Sequence, residues 1–116
     1  MPHPAFGGAP GYATSLSAVS TGTGTAVAVN HLRQASWYIV GAGTVSGGVV
    51  KIETAHASDF TGTWSELDSL DFGVDALTNK TYWQTSPGHL LFVRGRVSSN
   101  VTGGGTISVF FTGLAD

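Results

Sequence analysis

Apolar and polar residues alternate along much of this chain, with the period of two that is typical of strands burying one face. Alternating runs lie at residues 25–30, 37–40, 49–55, 80–85, 88–97 and 106–112, and a weaker run lies at 15–21. Glycine-rich turn signals separate several of these runs, and no long helical pattern appears. About seven or eight short strands at this spacing predict an all-β fold. We favour an antiparallel two-sheet β-sandwich of jelly-roll type over a barrel.

The last two runs flank Gly103-Gly-Gly105, and this arrangement predicts a β-hairpin. The alternation gives each of its strands an inner and an outer face. The predicted inward residues are Leu91, Val93, Val97, Ile107, Val109 and Phe111, and the predicted outward residues are Phe92, Arg94, Arg96, Ser108 and Phe110. In such a hairpin we expect Phe92 and Phe110 to lie side by side on the outer face.

Two other runs also allow their faces to be assigned. Val27 and Val29 are expected to point inward, as are Val50, Ile52 and Thr54. Lys51 and Glu53 lie on the opposite face of their strand, which is expected to meet solvent.

Residues 57–77 show no clear period. The segment at residues 59–64 is interpreted as a loop that closes onto a buried Trp64. Trp64, Leu67 and Leu70 have roughly helical spacing, so a short helical turn is one prediction and a long loop is the alternative.

Three pairs of adjacent aromatic residues carry information about the surface. They are Trp37-Tyr38, Tyr82-Trp83 and Phe110-Phe111. Neighbours along a strand point to opposite faces, so at least one member of each pair lies outside the core. Exposed aromatic side chains mark interfaces and ligand sites alike.

The N-terminus has a different composition from the rest. Its first eleven residues contain three prolines and three glycines, which exclude a helix or a central strand. We therefore predict an extended arm at residues 1–14 and a single β-sandwich domain at residues 15–116. Phe6 and Tyr12 are apolar anchors through which the arm could contact a neighbour.

Composition narrows the classes of function. Charged residues are only 10% of the chain, against roughly 25% in an ordinary globular protein. This fits either an ordinary β domain or a chain much of whose surface lies against other chains. The five basic residues are scattered, which argues against a nucleic-acid partner. No apolar run is long enough for a membrane span, and no signal-peptide pattern appears, so we expect a soluble product made in the cytoplasm.

No chemistry of an active site emerges from the residues. The four histidines lack the spacing of a zinc site, and Asp68, Asp71 and Asp75 match no calcium loop, so a solvated acidic loop is expected. No nucleophile elbow or phosphate loop is present, and no pair of carboxylates stands out. We therefore predict that the chain is not an enzyme and that it uses no cofactor and no metal.

Residues 47–55, 60–64, 89–97 and 102–109 together resemble small β-rich virion proteins of tailed bacteriophages, of the capsid decoration (cement) type. The resemblance implies a structural role on the capsid surface of the virion, with the major capsid protein as partner, a homotrimer, and no catalysis. The candidate interface residues are Phe6, Tyr12, Phe92, Arg94, Arg96 and Phe110. Two alternatives remain open. One is a carbohydrate-binding β-sandwich that uses Trp37, Trp64 or Trp83, and the other is a tail or head-fibre subunit.

Overall fold

Strands account for all regular secondary structure in residues 12–115, the part of the chain that the computed structural model describes. In chain order they are β1 (Ala13–Val19), β2 (Gly22–Thr23), β3 (Val27–Ala28), β4 (Leu32–Ala42), β5 (Gly47–Ala55), β6 (Ser65–Asp71), β7 (Thr81–Thr85), β8 (Phe92–Thr102) and β9 (Thr106–Ala115). The predicted all-β class is confirmed.

The strands form two antiparallel sheets that pack face to face. Sheet A has the order β1-β9-β4-β7, and sheet B has the order β2-β8-β5-β6, with β3 also paired to β8. This alternation of the chain between two sheets is the order of a jelly roll. The predicted two-sheet sandwich of jelly-roll type is therefore confirmed.

The predicted C-terminal hairpin is wrong. β8 pairs with β5 in sheet B, whereas β9 pairs with β1 and β4 in sheet A. The connection between them crosses from one sheet to the other at Gly103 and Gly104, whose positive φ angles of 111° and 95° fit the predicted turn. A glycine turn between two alternating runs has the same sequence pattern in a hairpin and in a crossover, so the pattern alone could not separate them.

The hydrophobic core lies between the sheets, and most of the predicted inward residues line it. These are Val27, Val29, Val50, Ile52, Val93, Val97, Ile107, Val109 and Phe111, all of them buried. Full burial of one such side chain contributes about 1.5–3 kcal/mol. Leu91 and Thr54 are the exceptions. Leu91 precedes β8 and is 45% exposed. Thr54 is only half-buried, and its hydroxyl donates a hydrogen bond to Phe92 O.

β6 shows why residues 57–77 had no readable period. The predicted helical turn is wrong, since Leu67 and Leu70 belong to a strand paired with β5. The register shifts between Ile52 and Glu53, which leaves Leu67 as an extra residue on β6. Such a bulge interrupts the alternation on which the prediction depended. Trp64 is buried under its loop, as expected.

The predicted arm at residues 1–14 lies mostly outside the described residues, and so does Phe6. β1 begins at Ala13, so the last two residues assigned to the arm already pair with β9.

Candidate functional site

A row of aromatic side chains crosses the outer face of sheet A. It consists of Tyr12, Phe110, Tyr38 and Trp83, and we call it the aromatic face. Tyr38 pairs directly with Trp83 on one side and with Phe110 on the other, because β4 lies between β7 and β9. Side chains directly opposite each other on neighbouring strands lie within contact distance. The jelly-roll order thus brings together residues that are far apart in the sequence.

The rings of the aromatic face contact one another in pairs. Tyr38 and Trp83 are stacked, with ring centroids 6.2 Å apart and planes inclined by 22°. Tyr12 meets Phe110 edge to face, with centroids 5.1 Å apart. Both arrangements are favourable for aromatic rings. Trp83 is 57% exposed, so its ring remains available to a partner.

Among residues 12–115, no charged side chain lies in the middle of this face. The outward-facing positions next to these rings on the paired strands are Thr14, Ser36, Val40, Thr81, Thr85, Ser108 and Thr112. Water is easily displaced from such a surface of aromatic rings and hydroxyl groups, because no ion has to be desolvated.

The outer face of sheet B carries a different group of residues. Glu53, predicted to meet solvent, is buried, and its two carboxylate oxygens accept hydrogen bonds from Arg94 and Arg96 at 3.0–3.2 Å. Arg94 also lies over the ring of Trp64, 4.2 Å from its centroid. The prediction for Glu53 is wrong because two guanidinium groups and their neighbours cover its side chain.

Sheet topology separates the predicted interface residues. Phe92, Arg94 and Arg96 belong to sheet B, whereas Phe110 and the neighbouring Tyr12 lie on sheet A. The predicted contact between Phe92 and Phe110 is therefore wrong. The sequence-based interface missed Tyr38 and Trp83, although the three adjacent aromatic pairs already required exposed members.

Asp68 has a structural role rather than a solvated one. Its Oδ2 accepts hydrogen bonds from Trp37 Nε1 at 2.9 Å and from the Tyr82 hydroxyl at 2.7 Å. The donors belong to sheet A and the acceptor to sheet B, so these bonds join the two sheets at the side where β6 and β7 form the edges. The solvated acidic loop predicted for Asp68 is wrong at this position.

Tyr82 should make stability depend on pH in the alkaline range. Burial, together with the hydrogen bond to Asp68, raises the pKa of Tyr82 to about 12 from 10.0. Because this pKa is higher in the folded than in the unfolded chain, folding favours the protonated Tyr82 hydroxyl. The resulting stabilisation is complete below pH 10 and is lost as the pH rises through about 12. We expect urea unfolding to show this loss in the wild type and a smaller loss in Tyr82→Phe. An identical alkaline decline in both proteins would contradict it.

Other candidate chemistry does not assemble. Within residues 12–115 no three histidine, cysteine or acidic residues lie close enough together to hold a metal ion. Over the same residues, no helix is long and apolar enough to cross a membrane. His89 contacts the Asn30 carbonyl oxygen through Nε2, and His56 packs edge-on against Phe60.

Comparison with known proteins supports the fold. No protein-family model matches the chain, and no curated protein matches it significantly. The crystal structure of YomS, a protein derived from the SPBc2 prophage, aligns with a TM-score of 0.56 at 19% identity, covering 86% of this chain and 89% of YomS. This chain therefore shares its fold with a prophage-derived protein. A chain from Bacillus endospore appendages, described as disulfide-linked pili, aligns at a TM-score of 0.41 and 11% identity, covering 90% of this chain and 86% of that one, a likeness too weak for inference.

Proposed function

We propose that this chain is a structural protein of a tailed-phage virion that decorates the capsid by binding the lattice of the major capsid protein. The aromatic face is the observation that carries the proposal. It offers exposed aromatic rings in an uncharged setting, which is the composition that protein interfaces favour at their centres. In this role the chain acts by binding alone and needs no catalytic residue.

The fold likeness to YomS and the sequence resemblance to decoration proteins support the same proposal from different directions. A jelly roll is a common fold of viral capsid proteins, although a fold by itself does not define a function. The low fraction of charged residues also fits a subunit whose surface is largely in contact with other proteins.

A carbohydrate-binding module remains the second candidate, now with a smaller set of residues. Trp37 and Trp64 are only 2% and 5% exposed, so neither is available to a sugar. Trp83 and its neighbour Tyr38 could still stack against a glycan. A titration of tryptophan fluorescence against a broad glycan panel tests this candidate, and a saturable change lost in Trp83→Ala would support it over the capsid proposal.

Location in the particle tests the proposed role directly. We expect quantitative mass spectrometry of purified virions to find the chain at a high, fixed ratio to the major capsid protein. A few copies confined to the tail or fibres would contradict capsid decoration and support the tail or fibre alternative. Absence from particles would contradict a virion role altogether.

Binding to capsid shells that lack the chain tests the aromatic face. The variant Tyr38→Ser/Trp83→Ser should raise the dissociation constant by about 30-fold or more, because buried aromatic residues dominate binding at interfaces. Val74→Ser/Leu91→Ser is the matched control, since both residues are exposed and apolar but lie off the aromatic face. Equal losses in the two variants, or no loss in either, would contradict the assignment of the contact surface.

A further inference from the structure

Four strand edges border the two sheets within residues 12–115, and three of them are protected against pairing. β1 is irregular, with register shifts on both sides of Leu16 and a positive φ at Ala18. β2 and β3 have two residues each. β6 contains a bulge and the acidic residues Glu66, Asp68 and Asp71. Short strands, bulges and charges are the devices by which proteins prevent unwanted edge pairing.

β7 has none of these protections. Its sequence Thr-Tyr-Trp-Gln-Thr contains no charge, proline or glycine, and its register with β4 is unbroken from Thr81 to Thr85. Every residue of the strand except Tyr82 is exposed. An edge of this kind is a template for another strand.

The hydrogen bonds at both ends of β7 show which of its backbone groups have no partner among residues 12–115. Gly41 N donates to Lys80 O, and Ser86 N donates to Ala35 O. Hydrogen-bonded pairs of an antiparallel ladder recur at every second residue, so the even-numbered residues of β7 bond to β4. The N–H and C=O groups of Thr81, Trp83 and Thr85 therefore point away from the sheet.

We propose that β7 pairs with β7 of a second copy of this chain, antiparallel and about a two-fold axis at Trp83. In this register Trp83 lies opposite the partner's Trp83, and Thr81 lies opposite the partner's Thr85. Each of these pairs can exchange two backbone hydrogen bonds, which satisfies all the outward groups. The two copies of sheet A become one continuous sheet.

The second copy is the occupant that the edge fits best. The arrangement of donors and acceptors is symmetric about Trp83, as a two-fold interface requires. No charge on β7 repels its own copy. The pairing also joins the two aromatic faces into a single row, because Trp83 stands at the end of each. Pairing covers the β7 edge of each copy, and the other edges are protected. The assembly therefore closes as a dimer and does not grow further.

A pair of charge variants tests the register on the isolated chain of 116 residues. We expect sedimentation from micromolar to millimolar concentration to show a monomer–dimer equilibrium for the wild type. Thr81→Lys/Thr85→Lys places like charges opposite each other in the dimer and should raise its dissociation constant about 10-fold or more. Thr81→Glu/Thr85→Lys places opposite charges there and should restore the dimer.

Each alternative result contradicts the inference. A monomer at every concentration would do so, and so would the homotrimer that the family resemblance implies. A dimer that persists in Thr81→Lys/Thr85→Lys would show association through another surface. Failure of Thr81→Glu/Thr85→Lys to dimerise would exclude this register.

Hydrogen exchange gives a second readout, since the amides of Thr81, Trp83 and Thr85 should gain protection on dimerisation. These measurements need no capsid, so their outcome is independent of the proposed function.

Discussion

Trp37→Ala is expected to lower the free energy of unfolding by about 3–5 kcal/mol, measured by urea denaturation at neutral pH. Trp37 is 2% exposed and fills the space between the sheets. Its removal leaves a large cavity and also takes away one of the two donors to Oδ2 of Asp68. Since small domains are stabilised by only about 5–15 kcal/mol in total, this loss is a large share of the stability of the fold.

The chain provides a control with the same change of side chain. Trp83→Ala should cost less than about 1 kcal/mol, because the ring is mostly exposed and loses mainly its stacking on Tyr38. Similar losses in the two variants would contradict the assignment of Trp37 to the core and Trp83 to the surface.

Glu53→Ala should destabilise the fold by about 2–4 kcal/mol, by the same measurement. The carboxylate is buried and accepts hydrogen bonds from both Arg94 and Arg96. Without it, two guanidinium groups remain close together beside a hydrophobic ring, and breaking a buried ion pair in this way is costly. The value lies below that of a fully buried pair because water reaches part of both arginine side chains.

Glu66→Ala separates this effect from the simple loss of an ion pair. Glu66 forms an ion pair with Lys51 at 3.1 Å, but its own side chain is 49% exposed whereas that of Glu53 is 5% exposed, so the expected loss is below about 1 kcal/mol. Equal destabilisation by Glu53→Ala and Glu66→Ala would show that solvent screens the buried carboxylate as effectively as the exposed one.

The alternation along the chain was enough to predict the class of fold and most of the core. Val50, Ile52, Val109 and Phe111 are buried as the period of two requires. The prediction failed where local geometry interrupts that period, at the bulge beside Leu67, and where a residue lies just outside its strand, as Leu91 does. It also failed at Glu53, since alternation places a side chain on a face but does not show what covers it.

Strand pairing could not be read from the chain, and the candidate site depends on pairing. The run of residues 88–112 has the pattern of a hairpin, yet its strands lie in different sheets, so Phe92 and Phe110 are on opposite sides of the molecule. Long-range packing determines which strand pairs with which. The local alternation of apolar and polar residues does not identify the neighbouring strand.

The three adjacent aromatic pairs show most clearly what the sequence predicts and what only the tertiary structure determines. The sequence by itself determined that one member of each pair lies outside the core, because neighbouring side chains on a strand point to opposite faces. Only the tertiary structure decided that Tyr38, Trp83 and Phe110 are the outer members. Only the sheet order β9-β4-β7 places them side by side in register, and that register brings three rings from separate strands into one surface.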